Sequence, residues 1–147
     1  ERIKNRCRFL LATDINPFAV KLVKEKGIDV IRTDLFEGIR KKFSLILFNP
    51  PYLELEEEEK RGDWIEKAID GGKKGIEVIC RFLDKVREVL SDNGRIILIV
   101  SSFNTPWVFR EIEKRKFNWE IVGEKKLFFE KLYAIRLTVA RELHQPV

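Results

Sequence analysis

The sequence predicts an α/β fold: a mostly parallel sheet that closes with an antiparallel hairpin. Apolar runs of strand length alternate with stretches of helical period, which is the pattern of parallel strands joined by crossover helices. Three of the early runs end in a residue with a polar side chain, Asp14, Asp34 and Asn49. The last two runs follow each other with only a short link between them, so they pair as a hairpin at the edge of the sheet.

Residues 8–13 read as a buried strand with Asp14 at its carboxyl end. Asn16-Pro17 then starts a helix, with Asn16 as N-cap, Pro17 at the first helical position and Gly27 as the stop. Ala19, Val20, Leu22 and Val23 form its apolar side. A short strand over 29–32 ends at Thr33-Asp34, and residues 43–48 form a third, buried strand ending at Asn49. In an open parallel sheet, ligands lie beyond the carboxyl ends of the strands, where these side chains project.

Residues 53–75 are the longest stretch without a clear period. Glu56 to Glu59 read as a solvated run. Trp64 and Gly71-Gly72 follow, and the segment is expected to act as a lid or substrate-recognition loop. Ile76, Ile79, Cys80, Leu83, Val86 and Leu90 have helical spacing, which predicts a helix over 75–91. Asp92-Asn93-Gly94 makes a turn, and 95–100 is a fully buried strand. Thr105-Pro106 is read as the cap and first position of a helix reaching about Lys116. The closing hairpin joins residues 119–128 to 132–142 through Phe129-Glu130-Lys131.

At 147 residues the chain suits one core, and a single domain over 1–147 is expected. The 29 Lys and Arg exceed the 24 Asp and Glu by five charges. The basic residues are interleaved with Glu rather than gathered in a stripe, which argues against a dedicated nucleic-acid binder. Cys7 and Cys80 stand far apart with His144 as the sole histidine, so no zinc-ligand spacing or disulfide framework can be drawn, and no metal is expected. No apolar run approaches the roughly 20 residues of a membrane span, so the expected setting is reducing and cytoplasmic. Abundant Glu, Lys and Arg with a single Gln, Gln145, lean toward a thermophilic source. With no Met and Glu1 in first place, the chain is expected to be a fragment whose natural start lies upstream.

The centre of this plan is Asn49-Pro50-Pro51-Tyr52 at the tip of the third strand. Two prolines fix two φ angles and push Asn49 out of the α region, so the turn is rigid and the Asn amide is held in place. The turn resembles the (N/D)PP(Y/F) motif of S-adenosylmethionine-dependent methyltransferases that act on planar amino groups. The element order is similar to the class I methyltransferase (Rossmann-like) fold from its second strand onward, with the first strand and its Gly-rich cofactor loop missing. Residues 12–17, Asp34-Leu35, the Asn-Pro-Pro-Tyr turn and 68–75 together resemble the HemK-related methylases. More narrowly, they resemble the archaeal and eukaryotic branch that methylates a release-factor glutamine.

The resemblance implies S-adenosyl-L-methionine as cofactor. Asp14 would hold the ribose hydroxyls, and Asp34 with the Leu35 backbone would face the adenine. Asn49, Pro50, Pro51 and Tyr52 would hold the target amide, Asn49 lying beside the cofactor as well. It also implies a release factor as protein substrate and a small zinc-binding activator subunit on the edge strand over 29–32. The residue chemistry suits this reaction. An amide nitrogen is planar and conjugated, so it attacks poorly. Accepting its two N–H bonds on the Asn49 side-chain oxygen and the Pro50 carbonyl would orient it, and Tyr52 could stack on it. Two other readings stay open: an amino methyltransferase acting on adenine or guanine, since the turn also fits a flipped base, and a non-catalytic methyltransferase-like fragment.

Overall fold

The computed structural model describes residues 3–140. The end of the second hairpin run at 141–142, His144 and Gln145 lie outside the described residues. The chain divides into two compact units, one reaching to Arg40 and one from Lys41 onward.

In the first unit, β1 (Leu11–Asp14) and β2 (Asp29–Arg32) pair in parallel, joined by α1 (Pro17–Glu25). The helix begins as its sequence dictates. The Asn16 side chain accepts the Phe18 N–H at 2.9 Å, Pro17 occupies the first turn, and Gly27 takes a left-handed φ of 66° just past the last turn. β1 is shorter and more open than the buried strand expected over 8–13. Its ladder has only the four rungs that β2 offers, and Thr13 and Asp14 are exposed. Val30 is half-buried and Ile31 exposed on β2.

The second unit is a four-stranded sheet in the order β3 (Phe43–Phe48), β4 (Leu90–Ser101), β6 (Lys131–Val139), β5 (Phe117–Lys126). β3 and β4 are parallel, whereas β4–β6 and β6–β5 are antiparallel, so the hairpin closes the sheet as expected. The core lies on β4 and the helices α3 (Glu77–Lys85) and α4 (Thr105–Lys114). Ile96, Leu98 and Val100 alternate along β4 with no exposed surface, and Ile79, Phe82, Val108, Ile112, Ile135 and Leu137 complete the packing. Fully burying each such side chain contributes about 1.5–3 kcal/mol. The Phe48 ring stacks on Phe82 with centroids 4.3 Å apart, fixing β3 to α3. β3 is less buried than its apolar sequence suggests: Leu45 and Leu47 stay 46% and 52% exposed, on the face turned away from the Phe48–Phe82 stack.

The helix expected over 75–91 ends earlier. Val86–Glu88 tighten into a 3-10 turn, and Leu90 already pairs with Phe43. Buried Val86 and Leu90 keep helical spacing although they belong to different elements, which is why periodicity ran them together. The Asp92-Asn93-Gly94 turn survives as an irregularity within β4, where the register with β3 shifts. α4 is capped at Asn104, not Thr105, whose Oγ1 donates instead to the Ser102 carbonyl. It stops at Lys114, and Lys116 with φ 57° turns the chain into β5 two residues before the expected start.

Arg115, just past α4, bonds Asp84 of α3 through Nε at 2.6 Å and Glu111 through Nη1. Hydrogen bonds from this guanidinium hold both carboxyls below their ordinary range. Burial pushes the neighbouring Cys80 thiol up. Carboxylates with depressed folded-state values add stability that is present above the ordinary carboxylate range and lost as pH falls through it. Arg115→Ala is therefore expected to lower the melting temperature at pH 7, with the gap to the parent narrowing at pH 3. Melting curves at both values check this, and an unchanged gap would remove the cluster from the acid response.

Candidate active site

The first unit brings Asp14, Asp34 and Leu35 to one end of its parallel strand pair. Asp14 is the last residue of β1, and its carbonyl accepts the Thr33 N–H at 3.0 Å, which places the residue after β2 beside it. The Asp14 side chain is exposed, and Oδ1 accepts the Asn16 N–H at 2.8 Å. That bond fixes the carboxylate's direction while leaving capacity for ligand hydroxyls, since a carboxylate offers about four acceptor positions. Half-buried Asp34 accepts the Glu37 N–H on its carbonyl, and Leu35 is held at φ 52°, a left-handed conformation uncommon for a branched side chain. Strained backbone at a strand end is where binding sites concentrate.

In the second unit, Asn49-Pro50-Pro51-Tyr52 leaves the carboxyl end of β3 with Asn49 exposed, Pro50 buried and Pro51 and Tyr52 half-buried. The turn is braced from behind. Leu53 N–H donates to the Ile69 carbonyl at 2.9 Å, and Gly71 N–H returns a bond to the Leu53 carbonyl at 2.7 Å. Glycine is required where this brace touches the turn. A Cβ on Gly71 would lie 2.8 Å from the Pro51 carbonyl oxygen, and one on Gly75, at φ +64°, would lie 2.0 Å from that of Tyr52. Asn104, 3% exposed, closes the brace: its Nδ2 donates to the carbonyls of Tyr52 at 3.1 Å and Lys74 at 2.9 Å.

Residues 70–75 of the expected lid are thus built into the support of the turn. The remainder of that segment is ordered locally. A capping box links Glu56 and Glu59, and α2 (Trp64–Ile69) starts at Asp63, whose side chain accepts the Glu66 N–H at 2.8 Å. The four glutamates 56–59 face solvent except as this cap requires.

On its outer side, the Tyr52 hydroxyl donates to Glu130 Oε1 at 3.4 Å. Burial first, and then the Glu130 charge, push the Tyr52 phenol up, so it is neutral across the physiological range. Asn104, Ser101 and Glu130 were not singled out from the sequence, and Gly75 only as the end of the 68–75 segment. A buried Asn ahead of Thr-Pro reads as an ordinary cap, and Glu130 reads as a hairpin-loop charge.

The Eco57I restriction-modification methylase family model matches residues 16–128. A Methanocaldococcus jannaschii protein provisionally named protein N5-glutamine methyltransferase is 36% identical over 139 residues, covering 90% of this chain and 71% of its own length. The chain belongs to the HemK-related protein-glutamine methyltransferases.

The human methyltransferase HEMK2 is 34% identical over 72% of this chain, which spans 54% of it. Among solved structures, the E. cuniculi Mtq2–Trm112 complex, responsible for methylation of the eRF1 translation termination factor, aligns with a TM-score of 0.68 at 30% identity. That alignment covers 88% of this chain and 71% of Mtq2. A ribosomal protein L11 methylase from Lactobacillus delbrueckii, at 17% identity and TM-score 0.59, shares the class I methyltransferase fold. The family's cofactor is S-adenosyl-L-methionine. The acceptor chemistry at the β1 and β2 ends, a directed carboxylate beside a half-buried one, fits the hydroxyls and amino group of its nucleoside.

Gly75→Ala is expected to destabilise the fold by more than Gly62→Ala. Both positions have positive φ, but a Cβ on Gly62 meets nothing within 4 Å. The difference, on the order of 1–3 kcal/mol for a forced overlap, is read from denaturation midpoints. Equal costs would show that the Tyr52 carbonyl yields without resistance.

Proposed function

We propose that this protein transfers the methyl group of S-adenosyl-L-methionine to the side-chain amide nitrogen of a glutamine in a peptide-chain release factor. The observation that carries the reading is the rigid Asn49–Tyr52 turn, presented at a strand end and braced by residues 70–75 in a chain that aligns with Mtq2. In this reading Asp14 accepts the ribose hydroxyls, while Asp34 and the Leu35 backbone face the adenine. The cofactor supplies an electrophilic methyl on a sulfonium, so the protein's task is to prepare the nucleophile. The Asn49 side-chain oxygen and Pro50 carbonyl accept the two amide N–H bonds and orient the nitrogen face, and Tyr52 stacks on the planar group. Alignment of this kind is worth several kcal/mol and needs no strong base.

The target glutamine would lie in a Gly-Gly-Gln loop, since glycines let an extended backbone approach the pocket. The exposed acidic run at 56–59 and Trp64 would then meet a basic protein surface and repel nucleic-acid phosphates. The second reading, an adenine or guanine amino methyltransferase, is favoured by the restriction-modification methylase match.

Labelled cofactor offered to the full-length enzyme separates the two. Release factor is expected to take label, with the Gln→Asn factor and a mixed DNA and RNA pool left unlabelled. Label on nucleic acid would promote the second reading. In the same assay Asn49→Ala is expected to lower turnover by on the order of a hundredfold with a smaller change in cofactor affinity. Turnover within a few fold of the parent would take Asn49 out of the reaction.

Mtq2 is solved with Trm112. By that likeness, a small zinc-binding activator would add a strand beside β2, whose exposed Ile31 otherwise leaves an apolar edge. Pull-downs with the full-length enzyme are expected to recover it, and full activity as a lone monomer would exclude it.

A further inference from the structure

Glu130 precedes β6, and because β6 runs antiparallel to β4, its start lies at the carboxyl end of β4. That end holds Ser101, which has no exposed surface and pairs with Leu132. The Ser101 hydroxyl donates to Glu130 Oε2 and accepts the Phe103 N–H at 3.2 Å. The backbone beside it is tied twice: Ser102 N–H donates to the Lys131 carbonyl at 2.8 Å, and Lys131 N–H donates to Ser102 Oγ at 3.0 Å. The two oxygens of one half-buried carboxylate therefore have different duties. Oε2 is fixed to the core sheet, and Oε1 accepts the hydroxyl of Tyr52, 78 residues away in sequence.

We propose that Glu130 is a positioning residue that holds the Tyr52 ring through its hydroxyl, with Ser101 anchoring the carboxylate. The inference rests on the stacking role proposed for Tyr52 above. Two prolines and the Asn104 clamp fix the backbone of Tyr52, but they leave its side-chain torsions free. A stacking ring that swings adds nothing to alignment, so the ring needs a restraint at its far end. At 3.4 Å this hydrogen bond is long, so it biases the ring toward one orientation rather than locking it. The requirement is for an acceptor at Oε1, not for a proton carrier. A glutamine can accept from Tyr52 on Oε1 and donate from Nε2 to Ser101 Oγ, so it preserves both contacts.

The test is steady-state kinetics of the full-length enzyme on whichever acceptor the parent methylates. A wrong substrate assignment then shows in the parent, and a wrong assignment of Glu130 shows only in the variants. Glu130→Ala and Tyr52→Phe are each expected to lower kcat by roughly tenfold, the scale of a modest misalignment, with the cofactor KM unchanged. The double variant should fall no further than either single one, because both remove the same contact. Glu130→Gln should stay within about threefold of the parent. If Glu130→Ala does not fold, the Tyr52→Phe and Glu130→Gln comparison carries the test alone. Multiplying losses in the double variant, a silent Tyr52→Phe, or Glu130→Gln as impaired as Glu130→Ala would each overturn the proposal, the last in favour of a direct role for the charge.

Discussion

The carbonyl group of Tyr52 is the point on which the geometry of the turn depends. It lies so close to Gly75 that a single added carbon would meet it, and it accepts the buried amide of Asn104, which follows the carboxyl end of the neighbouring parallel strand β4. Two prolines restrict the turn's own torsions, but they cannot decide where the turn sits relative to the body of the protein. The brace does that, by bringing three carbonyls, those of Pro51, Tyr52 and Lys74, against two glycines and one side-chain donor. The arrangement carries a cost. Asn104 Oδ1 is buried and makes no hydrogen bond among the described residues, a loss of about 1–3 kcal/mol in a typical interior. An apolar residue at 104 would avoid that cost and would leave both carbonyls without their donor.

β4 makes this convergence possible. Its parallel partner β3 delivers Asn49–Tyr52, its own end delivers Ser101 and Asn104, and its antiparallel partner β6 begins just after Glu130. A wholly parallel sheet would put the start of the strand beside β4 at the opposite end of the sheet and Glu130 out of reach. On the role proposed for Glu130, the closing hairpin would be part of the site as well as the edge of the sheet. Its cross-strand register, continuous from Ile96–Leu137 to Ser101–Leu132, places Glu130 against the turn.

The strand ends and the turn were legible in the sequence because each depends on local chemistry. β2 and β3 appear with the boundaries that their apolar runs imply, and Asn16-Pro17 caps α1 as those residue types require. What local reading could not supply was partnership. Leu90 keeps the spacing of the preceding helix, yet pairing with Phe43 draws it into β4. Asn104 has the side chain of a helix cap, yet spends its donor on carbonyls 30 and 52 residues away. Gly71 and Gly75, within the segment expected to act as a lid, turn out to be tightly packed, because a missing Cβ has the same sequence signature in a mobile loop and in a close approach. The charge on Glu130 looks like solvated surface until the fold brings Ser101 and Tyr52 to its two oxygens.

On the reading proposed above, the chemistry at the turn is indifferent to what carries the planar amino group. An amide oxygen and a backbone carbonyl accept two N–H bonds equally well from a glutamine or from an adenine, so a likeness both to a restriction-modification methylase family and to a release-factor methylase is what such a turn should produce. Selection between them must come from groups that meet the rest of the substrate. The nearest such groups in sequence are exposed Glu54 and the exposed glutamates 56–59, on the segment that runs from the turn through Leu53 toward the brace. On that reading one continuous segment would carry both functions: its two ends, pinned, would hold the acceptor, and its middle, left in solvent, would disfavour a phosphate backbone by like charge and favour a basic protein surface.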